Sequence, residues 1–161
     1  MRTTDNYVFF WKDKLAQWNM LPFVDKNNIK YNCAEQYMMA KKALLFQDNE
    51  SYHKIMSAIH PREQQALGRK VKNFNQKIWD ANAVSIVYQG NLFKFEQNKE
   101  LLDLLISTGD KILVEASPYD KIWGIGLSED NNDILDINKW KGLNLLGFTL
   151  TNLRNNYLKK N

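Results

Sequence analysis

Asn32-Cys33-Ala34-Glu35-Gln36-Tyr37-Met38-Met39-Ala40-Lys41-Lys42-Ala43 is the stretch that turns this chain from strands to helices. Asn32 suits a helix cap, and the helix is expected to run from Cys33 to about Phe46. Steps of four and three residues nearly complete whole turns, so Glu35, Met39, Lys42 and Phe46 share one face. Before this helix, Tyr7-Val8-Phe9-Phe10-Trp11 reads as a short strand. Phe23-Val24 and Ile29-Lys30-Tyr31 read as a hairpin around a polar turn. After it, a helix is expected over 51–59, and Pro61 suits the first position of another. A further helix spans Gln76 to about Phe95, with an interruption at Gly90. Asn98 can cap 99–106, with Gly109 as the stop. Ile112-Leu113-Val114 is strand-like, and Leu143, Leu146, Leu150, Leu153 and Tyr157 mark an amphipathic C-terminal helix. The expectation is one domain over residues 1–161, α+β and predominantly helical, with a few short N-terminal and central strands. A central parallel sheet of five or more strands is not expected.

Composition limits the function classes. With 161 residues, 44% hydrophobic and 25% charged, the chain reads as a globular domain rather than a disordered segment. The net charge of +4 favours anionic partners such as phosphates, nucleotides or nucleic acid. Cys33 is the only cysteine, so no intramolecular disulfide forms. The polar start and the lack of a membrane-length apolar run make the cytoplasm the expected location, with no membrane partner.

Several familiar sites are excluded by spacing. Gly142 and Gly147 are placed like a phosphate loop, but Phe148 stands where lysine is needed. Gly124 and Gly126 lack the third glycine of a dinucleotide fingerprint. His53 and His60 lack zinc-ligand spacing. The acidic segment from Glu129 to Asp136 lacks calcium-loop spacing and reads as a solvated connection. No metal and no cofactor is expected.

Two regions carry chemistry. On the first helix, Glu35 and Lys42 point the same way about 10 Å apart, and could bracket a small polar substrate. Equally, Asn32 followed three residues later by Glu35 is a capping-box pattern, and the two roles are compatible. The second region is Glu115-Ala116-Ser117-Pro118-Tyr119-Asp120-Lys121-Ile122-Trp123-Gly124-Ile125-Gly126. A carboxylate and an indole three residues apart on a loop suit a pocket that grips a flat ring and acts on a bond beside it. Asp120 could instead only form an Asx turn after Pro118. Arg69, Lys70 and Lys72 form a basic cluster suited to phosphate, or simply a solvated helix face, and Gly68 permits close backbone approach. Trp79 reads more readily as core than as a ligand platform.

Taken in order, these pieces resemble the NADAR (YbiA-like) family of N-glycosidases. The resemblance runs through Phe9-Phe10-Trp11, Gln17-Trp18, Pro22-Phe23, the helix from Ala34 to Ala43, and Leu67-Gly68-Arg69-Lys70-Val71. It continues through Trp79, Gly90-Asn91, Lys94-Phe95, Gln97-Asn98, Thr108-Gly109, the loop from Glu115 to Gly126, Asn144-Leu145-Leu146-Gly147 and Arg154. Ala16 departs from the pattern, since many members carry serine there.

The resemblance implies hydrolysis of an N-glycosidic bond between a ribose and a base-like nitrogen. One branch removes ADP-ribose from guanine in DNA, reversing modification by a cognate ADP-ribosylating toxin. Another cleaves phosphoribosylamino-pyrimidine intermediates of riboflavin synthesis. The implied catalytic residues are Glu35, Asp120 and Lys42; Trp123, Gly124, Arg69, Trp79 and Lys94 are the implied substrate-binding residues. A module that binds ADP-ribose or a nucleotide without turnover is the alternative of another class. Carboxylates at Glu35 and Asp120 argue against it, because a phosphate reader gains little from them.

Overall fold

The computed structural model describes residues 1–161, which form two compact units: Met1–Ala16 with Asn98–Asn161, and Gln17–Gln97. Six α-helices and five short strands make the architecture α+β and predominantly helical. No helix is long and apolar enough to cross a membrane.

In the first unit, β2 (Tyr7–Phe10) is the middle strand of a three-stranded sheet. It pairs antiparallel with β1 (Arg2–Thr3) and parallel with β5 (Ile112–Glu115), Tyr7 opposite Ile112 and Phe10 opposite Glu115. Val8, Phe9 and Phe10 are all buried, so β2 shows the continuous apolar run of a covered strand rather than alternation. β1 was not among the expected strands; Arg2 and Thr3 owe it to their pairing with Phe9 and Val8. Phe9, Val114, Ala116, Ile125, Leu127 and Ile134 form a core cluster.

β5 is followed by the loop from 116, and later by α6 (Leu145–Lys160), which completes the strand's hydrogen bonding from the side. Asn144 does this with its side chain: its Oδ1 accepts the Glu115 amide at 2.9 Å and its Nδ2 donates to the Leu113 carbonyl at 3.0 Å. Thr151 Oγ1 accepts the Leu113 amide at 2.9 Å. Asn144 also takes a left-handed backbone with φ of 54°, a conformation asparagine tolerates better than most residues. Asn144→Ala is therefore expected to lower stability by about 2–3 kcal/mol, from two orphaned strand groups and the left-handed backbone. Denaturant unfolding measures it, and a loss under ~0.5 kcal/mol would show that water replaces the amide. Because α6 starts only after Asn144, Leu143 lies outside the helix and is exposed, while Leu146, Leu150 and Leu153 are buried.

α5 (Lys99–Ser107) buries Leu101 and Leu105, and Gly109 follows it with φ of 66°. That positive φ is the helix stop expected of glycine. Arg154 of α6 is wholly buried, and its guanidinium donates to Thr108 Oγ1, the Lys111 carbonyl and Asn155 Oδ1.

The second unit packs four helices beside a two-stranded hairpin, β3 (Phe23–Val24) and β4 (Lys30–Tyr31). Asp25 organises the turn by accepting the Asn27 and Ile29 amides and the Tyr31 hydroxyl. Burial works against its charge, yet these hydrogen bonds outweigh it and hold its carboxyl below the usual range. α1 (Ala34–Leu45), α2 (Asn49–Ser57), α3 (Pro61–Gly68) and α4 (Gln76–Glu96) follow. Asp48 caps α2, Pro61 opens α3, and Asn75 caps α4 through the Ile78 amide at 3.1 Å.

Three expectations change here. α4 is not interrupted at Gly90; a Cβ there would run into the Tyr37 ring, so the glycine lets α4 lie close against α1. Gly68 serves α3 the same way, since a Cβ would strike the Met39 side chain. The close approach it permits is between helices. Finally, α1 begins one residue later than Asn32 as cap implies. Cys33 is the N-cap residue, which makes Gln36 the N3 residue. The Asn32 amide accordingly donates to Gln36 Oε1 at 2.8 Å, and the Asn32 side chain bonds Ile59 and Gln64 instead. The capping box assigned to Asn32 and Glu35 is not formed.

Candidate active site

Within residues 17–97, α1 positions the first group of site candidates. Glu35 lies in its first turn with 5% of its surface exposed, and its amide donates to the Gln17 carbonyl at 3.0 Å. Lys42 lies two turns further along the same helix. Its ammonium is held below the ordinary lysine range chiefly by burial. The negative charge of Glu35 opposes that shift and the positive charge of Arg69 adds to it. Glu35 and Arg69 both therefore act on Lys42. Two rings complete its surroundings, with Lys42 Nζ 4.8 Å from the centroid of Phe74 and 5.4 Å from that of Trp79. A cation over aromatic faces in a partly dry setting is attracted more strongly than on an open surface.

Trp79 is 8% exposed and so mostly core, as its helical position suggested, but one face serves Lys42. Arg69 is exposed at the end of α3. Lys94 on α4 is fully buried. It belongs at the Cys33 end of α1: burial pushes the Cys33 thiol up to about 11, Glu35 reinforces that rise, and Lys94 opposes it. A thiol so protonated is a poor nucleophile, so the buried Cys33 is structural rather than reactive. One fully buried residue of this neighbourhood entered the sequence reading only as part of the family resemblance, with no role assigned to it. Asn91 Nδ2 donates to Gln17 Oε1 and to the Val87 carbonyl, both at 2.8 Å, while its Oδ1 has no hydrogen-bond partner. Gln17 in turn accepts the Glu35 amide on its carbonyl, so Asn91 braces the segment that holds Glu35. Phe74 was likewise missed. The signal available was an aromatic residue just after the basic cluster at 69–72.

The second group, Asp120, Trp123 and Gly124, belongs to the other unit, on the loop after β5. Ser117 Oγ accepts the Tyr119 and Asp120 amides, and Asp120 Oδ1 accepts the amides of Ile122 at 2.9 Å and Trp123 at 2.8 Å. The Asx turn is formed, and it fixes where Trp123 begins. Gly124 is required by packing, because a Cβ would sit 2.9 Å from the carbonyl oxygens of both Asp120 and Glu115. The Ile122 and Trp123 carbonyls then accept the Leu145 and Leu146 amides, satisfying the first donors of α6. A loop tied at both ends in this way presents the half-buried Trp123 ring from a rigid mount.

Comparison with known proteins gives the family. The fold is that of the NMR structure of the Escherichia coli protein YbiA, with a TM-score of 0.78, 24% sequence identity, and coverage of 99% of this chain and 89% of that one. The NADAR domain model matches residues 9–158, and the chain belongs to the NADAR domain family. It is 45% identical to an N-glycosidase of Acanthamoeba polyphaga mimivirus, across 94% of this chain and 96% of that protein. It is 30% identical to the N-glycosidase YbiA of Escherichia coli, across 94% and 82%. A chloroplastic riboflavin biosynthesis protein of Arabidopsis thaliana, PYRR, is 27% identical, with 94% of this chain matching 27% of that protein.

Proposed function

We propose that this chain is an N-glycosidase that hydrolyses a ribose–base bond, and that its substrate is ADP-ribose attached to guanine in DNA. The observation that supports the reaction class is the buried Glu35 on the helix that also carries a half-buried Lys42 flanked by two aromatic rings, in a chain similar to proteins named N-glycosidases. Breaking the bond sends its electron pair to the base nitrogen and leaves positive charge spread over ribose C1′ and the ring oxygen. A fixed carboxylate stabilises that charge, then takes a proton from the water that adds to C1′. Glu35 is assigned both tasks. Lys42 and Arg69 meet the phosphates, with Lys94 supplying further positive charge in a buried setting. For the loop after β5 the family resemblance implies the remaining roles: Asp120, whose Oδ1 is held by loop amides, at a ribose hydroxyl or water, and Trp123 with Gly124 at the leaving base.

The net charge of +4 suits a DNA-borne substrate, and a cognate ADP-ribosylating toxin would be its source. The second reading, cleavage of a phosphoribosylamino-pyrimidine of riboflavin synthesis, is favoured by the PYRR relatives. Incubation with ADP-ribosylated guanine DNA, and separately with that intermediate, decides between them. Free ADP-ribose from the first is the expected result. Ribose phosphate from the second alone would overturn the DNA reading, and ligand binding without either product would make the chain a nucleotide reader.

Trp123→Ala tests the stacking role. Ligand affinity is expected to fall by about 1–3 kcal/mol, the range for base–aromatic stacking, with the fold retained. Unchanged affinity in a folded variant would reduce the indole to a packing residue.

A further inference from the structure

The same loop carries a second aromatic that the proposed chemistry does not use. Tyr119 is 85% exposed, the most exposed large hydrophobic side chain of the protein. It is nevertheless firmly placed, following Pro118 and donating its amide to Ser117 Oγ. Its ring lies 6.0 Å from that of Trp11, tilted by 53°. Trp11 in turn carries the Lys12 ammonium 4.4 Å from its ring centroid, and Lys12 has a left-handed backbone with φ of 54°. Lys14 and Lys121 add exposed positive charge from the same two segments. The carboxylates of these segments are turned to local work. Asp13 accepts the Trp11 and Leu15 amides, and Asp120 accepts those of Ile122 and Trp123.

We infer that Trp11, Tyr119 and Lys12 form a docking shelf for an unpaired nucleotide of a nucleic-acid strand, distinct from the base held by Trp123. Exposed aromatic rings on a rigid mount stack on any nucleobase, since every base has a π face, and adjacent ammonium groups meet the strand's phosphates. An aliphatic partner surface would make no use of the Lys12 and Lys121 ammonium groups. An acidic peptide would use the lysines but not the exposed Tyr119 ring. The inference rests on the reading that the substrate is carried on DNA.

Fluorescence anisotropy with an unmodified single-stranded oligodeoxynucleotide tests it. Tyr119→Ala is expected to weaken binding about tenfold, within the range for losing one stacked base. Lys12→Gln is expected to flatten the slope of log affinity against log salt by ~0.7, the value for one phosphate contact on a single strand. Turnover of a small substrate, ADP-ribosyl-guanosine, should be unchanged in both variants, while KM for the modified strand rises. An unchanged oligonucleotide Kd in folded Tyr119→Ala, or a wild type that does not bind the strand, overturns the shelf. If the wild type releases ADP-ribose from DNA while Tyr119→Ala binds normally, the shelf fails and the enzymatic reading stands. If strand binding depends on Tyr119 but no ADP-ribose is released, the shelf stands and the substrate assignment fails.

Discussion

Glu35→Gln is expected to give a folded protein that binds ligand and turns over at least ~100-fold more slowly, the scale for loss of a general base. Glutamine keeps the side chain's shape but removes the charge that stabilises an oxocarbenium ion and the basicity that activates water. The structure makes this a cleaner test than the sequence suggested. The Asn32 amide is taken by Gln36, so the substitution leaves that helix-start bond intact. The change also has an electrostatic signature. Glu35 at present raises the affinity of Lys42 for its proton against burial and Arg69. Its loss should move Lys42 further below the ordinary lysine range, so Lys42 becomes reactive toward an amine-directed reagent at lower pH. Release of ADP-ribose or ribose phosphate is measured alongside the melting temperature and the pH profile of Lys42 modification. Wild-type turnover in the variant would end the assignment and make Asp120 the leading catalytic carboxylate.

Arg154→Met is expected to cost about 2–4 kcal/mol of stability without touching any residue of the proposed site. Arg154 belongs to the set of residues that carries the family resemblance, and a cation in such a set invites a phosphate-binding role. Its surroundings say otherwise. The side chain is wholly inside, and its donors serve Thr108, the Lys111 carbonyl and Asn155. It thereby joins the end of α5, the start of β5 and α6. Burial lowers its proton affinity, and Asp110 partly restores it. Methionine fills much of the same volume but leaves the Lys111 carbonyl and the Thr108 hydroxyl without their donor. For a chain of this length, a loss of that size lowers Tm by roughly 5–15 °C. Thermal unfolding of the variant checks it. A Tm within ~2 °C of wild type, paired with weaker binding of phosphate ligands, would instead return Arg154 to ligand recognition.

How much of this was legible in the sequence varies with the range of the physics involved. The α3 start at Pro61, the stop at Gly109 and the strand at 112 rest on local backbone preferences, and the sequence alone located all three. The apolar spacing of Leu146, Leu150 and Leu153 likewise marked the buried face of α6. Even the Asx turn at Asp120 was readable, because its partners lie two and three residues away.

Tertiary structure decided what depends on distant partners. Asn144 looks like an ordinary helix-entry residue until β5 is beside it, where its amide stands in for a neighbouring strand. Gly68 and Gly90 suggested ligand approach and a helix break, yet both are explained by the Met39 and Tyr37 side chains of α1. The register of α1 itself turned on Gln36 reaching back to Asn32, which moved the cap by one residue and released Glu35 from that role. Sequence spacing was sufficient to put Glu35 and Lys42 on one helix face. Only packing could bring Arg69, Phe74 and Trp79 around that lysine, because the loops and helices that deliver them are set by burial rather than by any local preference.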